Sequence, residues 1–146
     1  MEKDRLTDAI IKQNTESFEL NLAQSISELK DSHLYPYILV IRSNTETYVK
    51  ITIYPIKNEN IIKLTLKGIN VLYDDIEILS KRLQKFNIIH TTGLVSKSKN
   101  VIYECYLDIR KIDSKYIELE ESLEKIKNIF KDIKIEEVSL IKHKTV

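Results

Sequence analysis

Apolar and polar residues alternate along the second half of the chain with a period that switches between two and about 3.6 residues, the signatures of strand and helix. Residues 61–67 (IIKLTLK) alternate, and 74–86 carry apolar side chains at three-to-four spacing. Residues 88–95 and 101–109 are two β-rich runs, 116–133 is helical again, and 135–141 reads as a closing strand. Before this block, Leu6, Ala9, Ile10 and Gln13 keep helical spacing, as do Phe18, Leu22, Ile26 and Leu29 after a polar break at 14–17. That pattern predicts one long helix or two short ones. The alternation of Phe18, Leu20 and Leu22 is the competing reading, a strand followed by a short helix over 23–32. Pro36 then ends the segment, because the residue before a proline is pushed out of the helical region. Residues 37–42 (YILVIR) and 47–56 (TYVKITIYPI) flank the turn formers Ser43, Asn44 and Thr45 and predict a hairpin.

Strand, helix, strand, strand, helix, strand is the split β-α-β order of a ferredoxin-like sandwich, an α+β fold with two helices on one face of an antiparallel sheet. The chain is expected to form one compact unit, in which an N-terminal helical arm and hairpin over 1–60 extend the sandwich over 61–146. The hairpin is expected to extend the sheet to five or six strands. In 101–109 the odd positions Val101, Tyr103, Cys105, Leu107 and Ile109 are apolar, while Ile102, Glu104, Tyr106 and Asp108 form a mixed face. The odd face is expected to meet the helices. The first helix offers it Ile76, Leu79, Leu83 and Phe86, and the second Leu119, Leu123, Ile126, Ile129 and Phe130. Val138 and Leu140 of the last strand are expected opposite Leu64 and Leu66.

Composition narrows the function classes. The chain has 146 residues and a net charge of +1, with nine acids against seven bases up to Asn60 and thirteen against sixteen after it. Neither half carries a field of one sign that would draw it to nucleic acid or an anionic membrane. An RNA recognition motif needs aromatics two apart on one strand face, whereas Tyr103 and Tyr106 are three apart and point to opposite faces. RNA binding is therefore a distant third reading. No apolar run approaches the roughly 18–20 residues of a membrane span, and the charged start MEKDRLTDAI is unlike a signal peptide. A cytoplasmic location is expected. Heavy use of Lys, Glu and Ile with only two Gly and two Pro is a balance that thermophile proteins often show. An AT-rich genome would produce much of it too.

The stretch LTLKGINVLYDDIEILSKRLQKFNIIHTTGLVSKSKNVIYECYLDI, followed by LEESLEKIKNIF, resembles the ACT family of regulatory domains. The likeness lies in a strand that enters a glycine-containing loop at Lys67 and Gly68, a helix of about a dozen residues, Asn87-Ile88 leading into the second strand, and a short polar turn over 97–100. It spans about 80 residues. The family's usual loop carries Asp, Pro and Gly before the first helix, and INVLYDD at 69–75 lacks that Pro and the Gly after it. The resemblance implies a non-enzymatic small-molecule-sensing module that acts as a homo-oligomer, a dimer in the simplest case. Its small polar ligand, for instance an amino acid, would sit at the first strand-to-helix loop against Gly68, Ile69, Asn70, Asp74 and Asp75. The alternative function is a scaffold that docks a partner protein through the N-terminal helix.

Each of these residues also has a plainer role. Asp74 with Glu77 three residues on is the pattern of a capping box, and Gly68 serves equally as a turn residue. His90, Thr91 and Thr92 sit together, yet the sequence fixes no carboxylate or nucleophile beside them. Cys105, the single cysteine, falls on the core face and reads as a buried, inert thiol. His33 and His143 have no neighbours at metal-ligand spacing. Glu118, Glu120, Glu121 and Glu124, with Lys125, Lys127, Lys131 and Lys134 after them, read as a solvated helix face. No motif calls for a cofactor, a metal or catalysis.

Overall fold

The computed structural model describes residues 5–13, 29 and 31–140. The fold is α+β, with two antiparallel sheets and two α-helices among the described residues. Strands β1 (Thr7–Gln13), β2 (Tyr37–Asn44) and β3 (Val49–Ile56) form a three-stranded sheet in that order. Strands β4 (Asn60–Ile69), β5 (Ile88–Lys97), β6 (Asn100–Leu107) and β7 (Asp132–Ser139) form a four-stranded sheet in the order β5-β6-β4-β7. Helix α1 (Tyr73–Leu83) lies between β4 and β5 in the chain, and α2 (Ser114–Glu124) between β6 and β7. The chain separates into two compact units, one of Met1–Leu6 with Ile61–Glu137, the other of Thr7–Asn60 with Val138–Val146.

In the larger unit the alternation read from the sequence sets the faces. Ile62, Leu64 and Leu66 of β4 and Cys105 and Leu107 of β6 join Leu79, Leu83 and Phe86 and Leu119, Leu123, Ile126 and Phe130 in one buried cluster. Both helices thus cover the same side of the sheet. Helix α2 stops at Glu124, short of the predicted 133. Tight turns continue it, the N–H of Ile129 and that of Phe130 both donating to the Ile126 carbonyl at 3.0 and 2.9 Å. These turns hold Ile126 and Phe130 at near-helical spacing, which is why the apolar period outlasts the helix.

Four expectations are corrected. The segment around Leu6, Ala9 and Ile10 is no helix: Thr7–Gln13 is a strand paired to β2, which places the fully buried Ile11 opposite the equally buried Leu39. The reading of 14–28 as helix lies outside the described residues. The hairpin β2–β3 does not extend the sandwich sheet but pairs with β1 in a separate sheet. Strand β7 does enter the sheet beside β4, yet its core residues are Ile133 and Ile135. Leu140 instead makes a parallel bridge with Ile11, since strand parity turns the even positions of β7 away from the helices. Ile76 is exposed and belongs to no core.

Among the described residues no helix is long and apolar enough to cross a membrane.

Candidate functional site

The corner where β4 hands over to α1 gathers the residues singled out by the sequence, and the structure assigns each a role. Gly68 ends the buried part of β4 opposite Val101. A Cβ placed on it would lie 2.8 Å from the Ile129 carbonyl oxygen, 2.8 Å from Val71 Cγ2 and 3.3 Å from a Phe130 ring carbon. The glycine is therefore required by the close approach of the turn after α2. Asn70 has φ +58, the left-handed conformation that Asn tolerates better than most residues. It swings the chain off the strand and onto the helix.

The helix start is fastened by Asp75 and not by Asp74. The Asp75 carboxylate accepts the Leu72 N–H at 2.8 Å, and the Leu72 carbonyl accepts the Asp75 N–H at 3.0 Å. Leucine has no side-chain acceptor, so only the acidic half of a capping box is made. Asp74 is exposed one residue before it. Around these polar groups stands an apolar rim: Ile69, expected at the site from the sequence, is 57% exposed, and Leu72 and Tyr73, which the sequence does not single out, are 67% and 83% exposed. The corner thus offers one exposed carboxylate, a left-handed Asn and three outward apolar side chains.

A second polar constellation lies on the sheet face away from the helices. Lys63 Nζ of β4 is 3.2 Å from Glu104 Oε1 of β6, and both side chains are buried. Glu104 Oε2 accepts the Leu6 N–H at 2.8 Å, while Lys63 Nζ stands 5.8 Å from the centre of the Tyr106 ring. Next to Leu6, Arg5 holds the Glu136 carboxylate of β7 at 3.1 Å. Residues 5 and 6 are thus tied by hydrogen bond and ion pair to β6 and β7. In the sequence Lys63 and Glu104 belong to a polar and a mixed strand face. The one signal was opposite charge on two strands that pair, a sign too common to single them out.

His90 ends up 6.2 Å from Tyr106, ring to ring, tilted by 58°. Its neighbours serve the backbone: at the irregularity in the β5–β6 ladder, where Gly93 has φ +69, the Thr92 hydroxyl accepts the Glu104 N–H at 3.0 Å and Thr91 Oγ1 accepts the Gly93 N–H at 3.1 Å. The two threonines replace ladder bonds that the bulge removes. Among the described residues no group of three or more His, Cys, Asp or Glu could hold a metal ion. His143 lies outside them.

Burial pushes the Cys105 thiol from its ordinary 9.0 up to about 12, and burial likewise pushes the Tyr103 hydroxyl from 10.0 up to about 12. Both groups ionise more readily unfolded than folded. Their contribution to stability is therefore intact below pH 9 and is lost as pH rises from there toward 12. Native protein at pH 8 should resist alkylation by iodoacetamide, and the thiol should react only after guanidinium is added. Modification of the folded chain at the rate of a free thiol would contradict this burial.

No family model matches the chain, and no curated protein matches it.

Proposed function

We propose that the chain is a non-enzymatic regulatory module of ACT-like kind, working as a homo-oligomer, whose sensing point is the β4–α1 corner. The observation that carries this is the exposed apolar rim of Ile69, Leu72 and Tyr73 set beside the exposed Asp74. The strand order β5-β6-β4-β7, with both helices packed on one face, supports the ferredoxin-like reading on which the resemblance rests.

The corner favours a small ligand with both charges and an apolar side chain, such as an amino acid. Its ammonium group pairs with Asp74, its carboxylate meets the first amides of α1, where the helix dipole favours an anion, and its side chain lies on Leu72 and Tyr73. Gly68 and Asp75 shape the corner without touching the ligand, since one is packed against Ile129 and the other holds the Leu72 N–H.

A thermal-shift screen of amino acids tests the reading. A ligand at a hundred times its dissociation constant should stabilise the fold by roughly 2.7 kcal/mol, which in a chain of this size raises Tm by several degrees. Asp74→Asn should abolish that rise and leave the unliganded Tm within about 1 °C, because an exposed carboxylate contributes little to stability. Absence of a shift with every amino acid, or a shift that survives in Asp74→Asn, would sink the sensing site.

A further inference from the structure

We propose that the outer edge of β3 is the surface through which two copies of this chain pair, antiparallel and centred on Ile51, joining their three-stranded sheets into one. The inference rests on the homo-oligomer part of the reading above and names its surface. Among the described residues β3 has β2 on one side and no strand on the other. Strand edges of this kind present unpaired main-chain donors and acceptors that another chain can meet.

Which groups face outward follows from the hairpin. Thr45 N–H donates to the Tyr48 carbonyl at 2.9 Å, so Thr45 and Tyr48 are a hydrogen-bonded pair. In an antiparallel ladder such pairs alternate with non-bonded ones. The register Asn44 to Val49, Ser43 to Lys50 and onward to Ile38 with Pro55 then assigns Lys50, Thr52, Tyr54 and Ile56 to bonds with β2. It turns the main-chain groups of Val49, Ile51, Ile53 and Pro55 outward. Pro55 fits this assignment, since a residue without an N–H belongs on the free side of an edge strand.

The outward row is self-complementary in one register. With Ile51 opposite Ile51 of the second copy, Val49 meets Ile53, and every outward N–H from 49 to 53 finds a carbonyl. Sliding by two residues toward the end of the strand sets Pro55 against Val49 and leaves a carbonyl without its donor. In the centred register the side chains on one face are all β-branched aliphatics, Val49 and Ile51 being 57% and 60% exposed in the single chain. Such cross-strand pairs stabilise sheets. On the other face Lys50, the one charged residue of β3, falls opposite Thr52 and not opposite its own copy. Beside Ile51 this surface continues into a groove of about 230 Å³ lined also by Ala9, Ile10 and Val40 and by the ion pair of Asp8 and Arg42.

Light scattering on the full chain at tens of micromolar tests the proposal by charge at the centre of the twofold. The wild type is expected at twice the 17.1 kDa chain mass. Ile51→Lys and Ile51→Glu should each fold, since the side chain is exposed, and each should weaken association about tenfold or more because like charges then stand face to face. An equimolar mixture of the two should recover the dimer. A wild type at 17.1 kDa overturns the inference and the homo-oligomer reading together. A dimer that both variants leave unweakened overturns the inference alone, as does a mixture that stays apart, and the sensing corner would then be tested separately by Asp74→Asn.

Discussion

Glu104→Leu should lower the stability of the fold by about 3–5 kcal/mol, the cost of taking the carboxylate away from a buried ion pair. Lys63 Nζ lies 3.2 Å from Glu104 Oε1 with both side chains almost wholly buried, so water cannot replace the lost carboxylate. The same substitution removes the acceptor of the Leu6 N–H, adding the penalty of an unmade hydrogen bond. Glu104→Gln keeps an acceptor and removes the charge, and it should fall between wild type and leucine. Lys63→Met in the Glu104→Leu background should recover most of the loss, because a buried pair replaced by apolar side chains of similar volume is often neutral or stabilising. Urea unfolding of the four proteins measures this. If Glu104→Leu costs less than about 1 kcal/mol, the pair does not hold the sheet as its geometry implies. If the double variant is no better than the single one, the loss belongs to packing and not to charge.

The larger unit was legible because its alternation is unambiguous. Leu64, Leu66, Cys105 and Leu107 share strand parity, and Leu79, Leu83, Leu119 and Leu123 share helical stripes, so period alone assigned them to one core. The first strand was not legible for the same reason inverted. Leu6, Ala9, Ile10 and Gln13 satisfy a helical stripe by coincidence, while the residue that matters, Ile11, is buried in a sheet where both neighbours on β2 are apolar. In a seven-residue strand whose second face also carries an apolar Ile10 between Asp8 and Lys12, the alternation is too short and too mixed to be told from helix by period. Sheet membership was equally out of reach. The hairpin of β2 and β3 forms as the sequence predicts, with its turn closed by Thr45 and Tyr48 while Ser43 and Asn44 pair within β2, but which strand it joins depends on contacts far apart in sequence, and β1 took the place assigned to β4.

At the β4–α1 corner the sequence pattern of a capping box pointed to Asp74, and the structure gives that role to its neighbour. Asp75 and not Asp74 fastens the helix, a difference of one residue that follows from where the left-handed Asn70 turns the chain. Leu72 and Tyr73 complete an apolar rim beside Ile69, and in a string of letters they look like ordinary core residues. Only the turn at Asn70 puts them outside. A hydrophobic residue exposed at a loop is informative where several adjoin, and adjacency is a property of the fold.

Gly68→Ala should destabilise the protein by about 1–3 kcal/mol although it adds a single methyl group. The new carbon would sit 2.8 Å from the Ile129 carbonyl oxygen and from Val71 Cγ2, well inside contact distance, and one of those atoms is backbone in a turn that carries Phe130 into the core. In a chain of this size that loss lowers Tm by roughly 2–4 °C per kcal/mol. Gly68→Val should cost more, because its two further methyl groups meet the same Phe130 ring. Val71→Ala in the Gly68→Ala background should lose less than the two single losses summed, since it removes one of the two clashing atoms, and the remainder measures the backbone contact. Calorimetry of the variants without ligand decides what the glycine is for. A lowered Tm means that the turn after α2 demands it. An unchanged Tm, joined to a lost response to amino acids, would mean that the open space at Gly68 serves a ligand and that the packing against Ile129 yields at no cost.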